Sequence, residues 1–150
     1  MRYLIIGSST AGIGAVEGIR QVDRDGEITV VSRENCHTYS RPLISYLLQG
    51  KVTEEKMKYR DDSFFERMGC NFLRGKTVTE IHPDEKKVVL DDGSSIMYDR
   101  LLVATGSDPF VPPIEVLDTV SEKFTFMSLD DARRLDAALS RDKRVLIVGA

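Results

Sequence analysis

The sequence is poor in the residues that bind metals or form disulfides. Among its 150 residues are two cysteines, Cys36 and Cys70, and two histidines, His37 and His82. No Cys-x-x-Cys pair occurs, so neither a disulfide framework nor a zinc site is predicted. Neither histidine has a partner at the spacing of a catalytic pair, and both are predicted to lie on the surface. The scarcity of cysteine favours a reducing, cytoplasmic compartment.

Two other absences exclude whole classes of protein. No apolar run approaches the roughly 20 residues that a transmembrane helix needs, so no membrane span is predicted. Lys and Arg number 21 against 24 Asp and Glu, a net charge of −3 that argues against nucleic acid as a partner. Since 41% of the residues are hydrophobic, a disordered chain is also excluded. The sequence predicts a folded domain.

The chain opens with the pattern of a strand, a glycine turn and a helix. Tyr3–Ile6 is a short apolar run that ends at Gly7. Asp25–Gly26 breaks the helix, and Glu27–Val31 then reads as a second strand buried on both faces. These segments predict a βαβ unit with a parallel pair of strands. The buried helix face is predicted to consist of Ile13, Val16, Ile19 and Val22.

Shorter elements follow. One helix is predicted between Pro42 and Gly50, and another is predicted to begin at a cap at Asp61 or Asp62 and to end at Gly69. Prolines at 109, 112 and 113 indicate a connector, and Ser128 with Asp131 three residues later indicates a final capped helix. A small antiparallel meander ending in a buried strand is predicted from Lys76–Ile81, Lys87–Leu90, Ser95–Tyr98 and Arg100–Ala104.

The last residues, Arg144–Ala150, repeat the apolar-run-then-glycine pattern of Tyr3–Gly7. We expect a second strand and glycine turn there, the start of a second nucleotide-binding unit near Lys143. On this interpretation the sequence is a piece of a longer protein.

The turn Gly7–Gly12 has glycine at the first and third positions of the G-x-G-x-x-G pattern. Ser9 replaces the middle glycine, and its side chain would either crowd a pyrophosphate or donate a hydrogen bond to it. The helix that begins near Ala11 would direct its N–H groups at phosphates. Glu34, roughly twenty residues further on, is the candidate acceptor for ribose hydroxyls, with a solvated loop acid as the alternative.

Four stretches in this order resemble the pyridine nucleotide-disulfide oxidoreductase superfamily, in its rubredoxin- and ferredoxin-reductase-like or NADH-oxidase-like branch. They are Gly7–Gly12, Tyr39–Ser45, Tyr98–Pro109 and the turn that begins at Gly149. The resemblance implies an α/β fold, a Rossmann-like parallel sheet with helices and a small antiparallel β-meander. It also implies that the first dinucleotide is FAD and that NAD(P)H is a co-substrate of the longer protein.

The resemblance assigns a set of FAD-binding residues, with Ala104, Thr105 and Gly106 beside the phosphates. Arg41 is implied to be a cation near FAD, although it would alternatively cover the following helix. Val78 is implied to offer its backbone to adenine, and it is a core residue in either case. The full cofactor-binding set is Gly7, Ser9, Thr10, Ala11, Gly12, Glu34, Arg41, Pro42, Val78, Ala104, Thr105 and Gly106.

The sequence departs from the superfamily where other members carry reactive groups. Pro42 stands where disulfide-using members have a redox cysteine, and Cys36 is interpreted as incidental and Cys70 as packing. Tyr46 replaces a lysine that faces the flavin in the reductase-like branch, so a core or interface role for Tyr46 is as well supported as flavin contact. No catalytic side chain and no metal ligand is assigned.

The predicted function is the FAD-binding part of an NAD(P)H-dependent flavoprotein oxidoreductase. Electrons would pass through FAD to a small redox protein such as rubredoxin or ferredoxin, to a nitrite-reductase partner or to oxygen. The fragment itself is expected to be catalytically incomplete, and a homodimer is left open. The alternatives are a non-catalytic FAD- or nucleotide-binding module and a disulfide reductase that uses Cys36. Predicted boundaries are 1–110 for the first part of the FAD-binding domain, 111–142 for a connector and helix, and 143–150 for the first strand of a truncated NAD(P)-binding domain.

Overall fold

The computed structural model describes residues 1–149, which contain a parallel sheet, an antiparallel sheet and short helices. The strands are β1 (Arg2–Ile6), β2 (Glu27–Ser32), β3 (Cys70–Arg74), β4 (Val78–His82), β5 (Lys87–Leu90), β6 (Ser95–Met97) and β7 (Arg100–Val103). The α-helices are α1 (Thr10–Val22), α2 (Ile44–Leu48), α3 (Glu54–Met57), α4 (Phe64–Arg67) and α5 (Leu129–Ala138), with 3-10 turns at Arg41–Leu43 and Leu117–Thr119.

The parallel sheet has the strand order β3-β2-β1-β7, and each neighbouring pair is parallel. β1 and β2 lie in the middle, in a register that places Ile5 opposite Val30. Both side chains are at most 1% exposed, as expected for central strands covered on both faces. The predicted βαβ unit and the Rossmann-like fold class are confirmed.

Two apolar clusters cover the two faces of this sheet. On one face Ile13 and Val16 of α1 pack with Ile5 and with Phe64 of α4. On the other face Leu4, Ile6 and Val31 pack with Val88, Leu90 and Tyr98 of the antiparallel sheet. That smaller sheet has the order β4-β5-β6, so the predicted meander is confirmed for three of its four strands.

Two sequence expectations about these elements are wrong, and one strand was missed. Val22 is 84% exposed rather than buried, because it is the last residue of α1. The strand Arg100–Val103 pairs in parallel with β1 instead of joining the meander, and Val103 is 56% exposed because β7 is the edge strand of the sheet over residues 1–149. β3 was not predicted, and it pairs in parallel with β2.

The cap predicted for α4 is also different. Ser63 is the N-cap residue, and neither Asp61 nor Asp62 occupies that position. Asp61 instead closes a turn, because its Oδ1 accepts hydrogen bonds from the backbone N–H and the hydroxyl of Ser63. Gly69 follows the helix with a φ of 58°, as a C-terminal glycine should.

The chain divides into two compact units. The first consists of Met1–Tyr39 and Lys58–Ser107 and holds both sheets. The second consists of Ser40–Met57 and the segment from Asp108 onward, where α2 packs against α5. The sequence-based boundaries at 110 and 142 remain predictions. The compact units divide the chain differently, because Ser40–Met57 interrupts the first unit and the second unit resumes at Asp108.

The C-terminal segment does not form the predicted strand. Residues 144–149 have no regular secondary structure, and Leu146 and Ile147 are 88% and 80% exposed. A strand requires a hydrogen-bonded neighbour, and none is paired with this segment among residues 1–149. Ala150, which belongs to the predicted second turn, lies outside the described residues.

The helix α5 begins with the predicted capping box. The Ser128 hydroxyl accepts from the backbone N–H of Asp131, and the Asp131 carboxylate accepts from the backbone N–H of Ser128. Although burial alone raises the pKa of the Asp131 carboxyl, hydrogen bonds from Ser128, Met127 and Arg134 lower it to about 2.

We expect the capping box to make α5 sensitive to acid. A carboxyl whose folded pKa lies below its ordinary value near 3.8 stabilises the fold above about pH 4, and that contribution is lost as the pH falls toward 2. Replacing Asp131 with asparagine should therefore remove part of the stability at neutral pH and flatten its decline below pH 4. Urea unfolding at several pH values checks this, with Asp136→Asn at an exposed position of α5 as the control. An unchanged pH profile in Asp131→Asn would contradict the prediction.

One arginine ties several segments of the first unit together. Arg20 of α1 donates to the backbone carbonyls of Met68 and Gly69, 2.6 and 3.1 Å away, at the end of α4. It also donates to the carbonyls of Asp23 and Gly26, which lie in the turn that leads into β2. A single guanidinium thus satisfies carbonyls at the ends of two helices.

Removing this guanidinium should destabilise the fold. We expect Arg20→Ala to lower the free energy of unfolding by about 2 kcal/mol, because four carbonyls lose a charged donor. Arg24→Ala, at an exposed position just beyond the same helix, is the matched control and should change it by less than about 0.5 kcal/mol. Urea denaturation checks both variants, and equal effects would show that the carbonyl contacts contribute nothing.

No helix among residues 1–149 combines the length and apolar character that crossing a bilayer requires.

Candidate functional site

The site is built around the turn that follows β1. The backbone N–H of Gly7 donates to the carbonyl of Val31 at the end of β2, and the N–H of Ala104 donates to the carbonyl of Ile6, both at 2.8 Å. The turn therefore lies at the carboxyl edge of the parallel sheet, between the ends of two neighbouring strands. This is where open α/β sheets bind their ligands.

Gly7 is required by both conformation and space. Its φ is 113°, which L-residues with a side chain rarely adopt. A Cβ at this position would lie 2.1 Å from the carbonyl oxygen of Ala104 and 3.3 Å from the backbone nitrogen of Thr105. The glycine turn and the Ala104–Gly106 segment, far apart in sequence, are therefore in direct backbone contact.

Gly12 brings the helix α1 onto the turn. A Cβ on Gly12 would lie 2.0 Å from the carbonyl oxygen of Gly7, so the third glycine of the motif allows close packing. Ser9 is the N-cap residue of α1, yet its side chain makes no capping hydrogen bond, and no acidic side chain lies in the first turn. Thr10 and Ala11, the first helical residues, are exposed. This N-terminus has the features of an anion-binding site.

The ribose candidate Glu34 lies in the loop after β2. The hydroxyl of Tyr39 donates to its Oε1 at 2.9 Å, and its backbone carbonyl accepts from the N–H of Gly75 at 3.3 Å. Tyr39 is only 7% exposed, so its ring is fixed in the protein while its hydroxyl reaches the carboxylate. Glu34 is half-buried and held in place, unlike a freely solvated loop acid.

A buried threonine links this loop to the glycine turn. The Oγ1 of Thr38 donates to the backbone carbonyl of Ser8 at 2.7 Å, and both residues are buried. Sequence reasoning did not single out Thr38, Tyr39 or Ser8 for these roles. The Thr38 to Ser8 bond spans thirty residues of sequence, so no local signal identifies it. Tyr39 and Glu34 are near in sequence, but their contact depends on how the loop after β2 folds.

The other predicted binding residues are distributed over both units. Val78 begins β4 and packs, partly buried, against the cluster around Leu4 and Val88. Gly106 follows β7 with a φ of 73°. Arg41 and Pro42 form a 3-10 turn in the second unit, where Arg41 donates to the carbonyl of Met127 at 3.1 Å. The structure brings Gly7, Gly12, Ala104 and Thr105 together. Glu34 lies just after the end of β2, the strand next to β1 in the sheet.

The prediction that His37 is a surface residue is wrong. Its Nδ1 lies 3.2 Å from the carbonyl oxygen of Thr38, and its ring contacts that of Phe65 at a centroid distance of 5.9 Å. The Nε2 atom is buried and has no hydrogen-bond partner among the described residues. His37 is half-buried because the loop after β2 folds back over α4.

The two cysteines are half-buried and are not joined by a disulfide. Cys70 packs against the cluster that contains Phe65, in agreement with its predicted packing role, and burial raises the pKa of its thiol. Tyr46 is 49% exposed, which rules out the core role considered for it. No group of three or more His, Cys, Asp or Glu in the described part of the chain is placed to hold a metal ion.

These residues fit the ADP half of FAD. The first and third glycines let the turn pack against Ala104 and let α1 pack against the turn, which places the start of α1 at the carboxyl edge of the sheet. The N-terminus of α1 supplies N–H donors, and the carboxylate of Glu34 supplies the acceptor that ribose hydroxyls require.

Comparisons with known proteins agree with this geometry. The family model described as pyridine nucleotide-disulphide oxidoreductase matches residues 1–150. The chain is 40% identical to the NADH-dependent phenylglyoxylate dehydrogenase subunit epsilon of Aromatoleum evansii, over 99% of this chain and 35% of that protein. It is 36% identical to the ferredoxin–NAD(+) reductase component of a 3-phenylpropionate/cinnamic acid dioxygenase of Photorhabdus laumondii, over 98% of this chain and 37% of that protein.

A solved structure shows the same arrangement of elements. The putidaredoxin reductase–putidaredoxin complex aligns with a TM-score of 0.83 and 28% identity, over 94% of this chain and 34% of the matched chain. This chain therefore spans about a third of the length of these relatives.

Proposed function

The chain belongs to the pyridine nucleotide-disulphide oxidoreductase family, and from this premise we propose that it forms the FAD-binding part of an NAD(P)H-dependent flavoprotein oxidoreductase. The family uses FAD together with NAD(P)H. The observation that carries the proposal is the contact between Gly7 and Ala104. It leaves no room for a side chain and places the glycine turn, the start of α1 and the end of β7 around one point.

Each residue of the site has a proposed task toward the ADP half of the cofactor. The backbone N–H groups of Thr10 and Ala11 donate to the pyrophosphate, and the hydroxyl of Ser9, which caps nothing in α1, adds a donor in place of the missing middle glycine. Glu34 accepts the ribose hydroxyls. The backbone of Val78 lies along the adenine, as the family resemblance implies.

The segment Ala104–Gly106 is proposed to line the phosphates from the opposite side, since Ala104 touches Gly7. Arg41 and Pro42 belong to the second unit, and their proposed proximity to FAD rests on the family resemblance alone.

FAD, when bound, supplies the hydride and electron chemistry of the reaction. The proposed contribution of this chain is to bind and orient the cofactor rather than to transfer protons. Neither a side-chain nucleophile nor an acid–base pair is part of the proposal. Electron transfer to a small redox protein is the preferred proposal for the whole protein, because the Photorhabdus relative is named as a ferredoxin–NAD(+) reductase component. Nitrite and oxygen remain the alternative electron acceptors in this proposal, because the relatives include nitrite-reducing and oxygen-reducing members.

A competition experiment tests the binding proposal. FAD is titrated into the chain and followed by flavin fluorescence, and ADP or FMN is then added at increasing concentration. Because the contacts proposed for the first unit are with the ADP half, ADP should displace FAD, whereas FMN should not compete. Equal competition by both ligands, or no FAD binding, would contradict the proposal.

The same FAD-loaded sample tests whether the chain alone is catalytically incomplete. Among residues 1–149 one glycine turn opens onto a helix, and we propose that it binds FAD. Anaerobic addition of NADH should therefore bleach the flavin absorbance no faster than it bleaches free FAD. Bleaching at a far higher rate would show that these residues also hold a nicotinamide site.

A further inference from the structure

The segment Thr38–Tyr39 joins the two halves of the candidate site. Thr38 donates through Oγ1 to the carbonyl of Ser8 in the glycine turn, at 2.7 Å. Tyr39 donates through its hydroxyl to Oε1 of Glu34, at 2.9 Å. Two consecutive side chains thus hold the proposed phosphate-binding turn and the proposed ribose-binding acid.

The segment is itself fixed in the first unit. The backbone carbonyl of Thr38 accepts from the N–H of Tyr59 at 3.0 Å, and Tyr39 forms an antiparallel bridge with Lys58. In such an extended bridge, neighbouring side chains point to opposite faces, which lets one reach Ser8 while the other reaches Glu34. Both are buried, at 3% exposure for Thr38 and 7% for Tyr39. The hydroxyl groups of both side chains are therefore held in one orientation before a ligand binds.

We infer that Thr38 and Tyr39 are positioning residues that set the affinity and the ribose selectivity of the nucleotide site. Tyr39 holds the Glu34 carboxylate toward the ribose, and Thr38 holds the Ser8 carbonyl so that the turn keeps its shape. This inference rests on the proposed function, in particular on the ribose role of Glu34.

The chemistry of a carboxylate makes the role of Tyr39 consistent with ligand binding. A carboxylate has about four lone-pair positions, and one hydrogen bond from a phenol uses one of them. The same bond fixes the rotation of the carboxyl group, so that acceptors for the two adjacent ribose hydroxyls are presented in one orientation. A flexible glutamate would have to be ordered when the nucleotide binds, which weakens affinity.

The test compares ligands that differ by one group. Binding of ADP and of 2′-deoxy-ADP is measured by calorimetry for the unmodified chain, Tyr39→Phe, Glu34→Gln and Tyr98→Phe. Tyr98 is the matched control, since it is 6% exposed in the same unit and packs in the cluster with Leu4 and Val88. The unmodified chain and the control should prefer ADP about tenfold, the value of one hydrogen bond to a charged group. Tyr39→Phe should reduce this preference to threefold or less.

The outcomes separate the inference from the proposed function. If Glu34→Gln removes the preference while Tyr39→Phe keeps it, the positioning role of Tyr39 is overturned and the ribose role of Glu34 stands. If the unmodified chain shows no preference, the ribose role fails, and the inference fails with it. A general loss of affinity for both ligands in Tyr39→Phe, with an unchanged ratio, would indicate packing alone and would also overturn the inference.

The role of Thr38 is tested with two ligands that differ by one phosphate group and have the same ribose. ADP and AMP are compared in the unmodified chain, Thr38→Val and Thr38→Ser. Thr38→Val should lower the ADP to AMP affinity ratio severalfold, because it removes the donor to Ser8, and Thr38→Ser should restore it. An unchanged ratio in Thr38→Val would overturn the role assigned to Thr38.

Discussion

Replacing Gly7 with alanine should disrupt both folding and nucleotide binding. The new Cβ would lie 2.1 Å from the carbonyl oxygen of Ala104, and the φ of 113° is unfavourable for any side chain. Backbone strain and forced displacement each cost about 1–3 kcal/mol, so we expect a loss of about 3–5 kcal/mol in the free energy of unfolding. Such a loss is comparable with the total stability of many domains. Urea denaturation followed by circular dichroism measures it.

Gly18→Ala is the matched control for this substitution. Gly18 lies in the exposed part of α1, and a Cβ there would meet no atom within 4 Å. Alanine at this helical position should stabilise the chain by about 0.5–1 kcal/mol. If Gly7→Ala and Gly18→Ala behaved alike, the contact between the glycine turn and the end of β7 would be disproved.

Replacing Glu34 with alanine should weaken FAD binding on the order of 100-fold, equivalent to about 2.7 kcal/mol. The Glu34 carboxylate is proposed to accept hydrogen bonds from two ribose hydroxyls. Each hydrogen bond to a charged group contributes about 1.5–3 kcal/mol, and the two contributions do not add fully. The substitution also removes the acceptor of the buried Tyr39 hydroxyl, so the free energy of unfolding should fall by about 1 kcal/mol. Calorimetric titration with FAD measures the affinity, and thermal unfolding of the free chain measures the stability.

Glu66→Ala is a suitable control, because Glu66 is exposed on α4 in the same unit. It should leave FAD affinity within about twofold of the unmodified chain. An unchanged affinity in Glu34→Ala would assign the ribose hydroxyls to another residue.

The parts of the fold that sequence predicts correctly are those with local signals. The apolar run Tyr3–Ile6, the glycines at 7 and 12, and the helical spacing through Ile13 and Val16 encode strand, turn and helix without reference to the rest of the chain. The capping box at Ser128 is similarly local, since its partners are three residues apart.

The elements that sequence misplaces depend on long-range pairing. The strand Cys70–Arg74 alternates weakly in burial and is recognised only by its parallel pairing with β2. The strand Arg100–Val103 has a clear apolar pattern, but whether it extends the meander or joins β1 is decided by a register with residues nearly a hundred positions earlier. The apolar run 145–148 has the same local signal as β1 and no strand beside it among residues 1–149.

The residues of the candidate site also fall into those that local sequence predicts and those that depend on the folded loop. The motif residues Gly7, Gly12 and Glu34 follow from spacing, and the structure adds why the glycines are needed. Thr38 lies in no motif, and Tyr39 begins the Tyr39–Ser45 stretch without any signal for its hydroxyl contact. Their partners, Ser8 and Glu34, are defined by how the loop after β2 folds back. The buried Nε2 of His37 was unpredictable for the same reason.

The most direct test of the central claim is the set of backbone amide chemical shifts of the 15N-labelled chain as ADP is added. We predict that the largest changes fall on the amides of residues 7–12, with a second group at Glu34 and at Ala104–Gly106, and that they saturate together. Large changes confined to other residues, with those of residues 7–12 unmoved at saturating ADP, would contradict the assignment of this turn as the dinucleotide site.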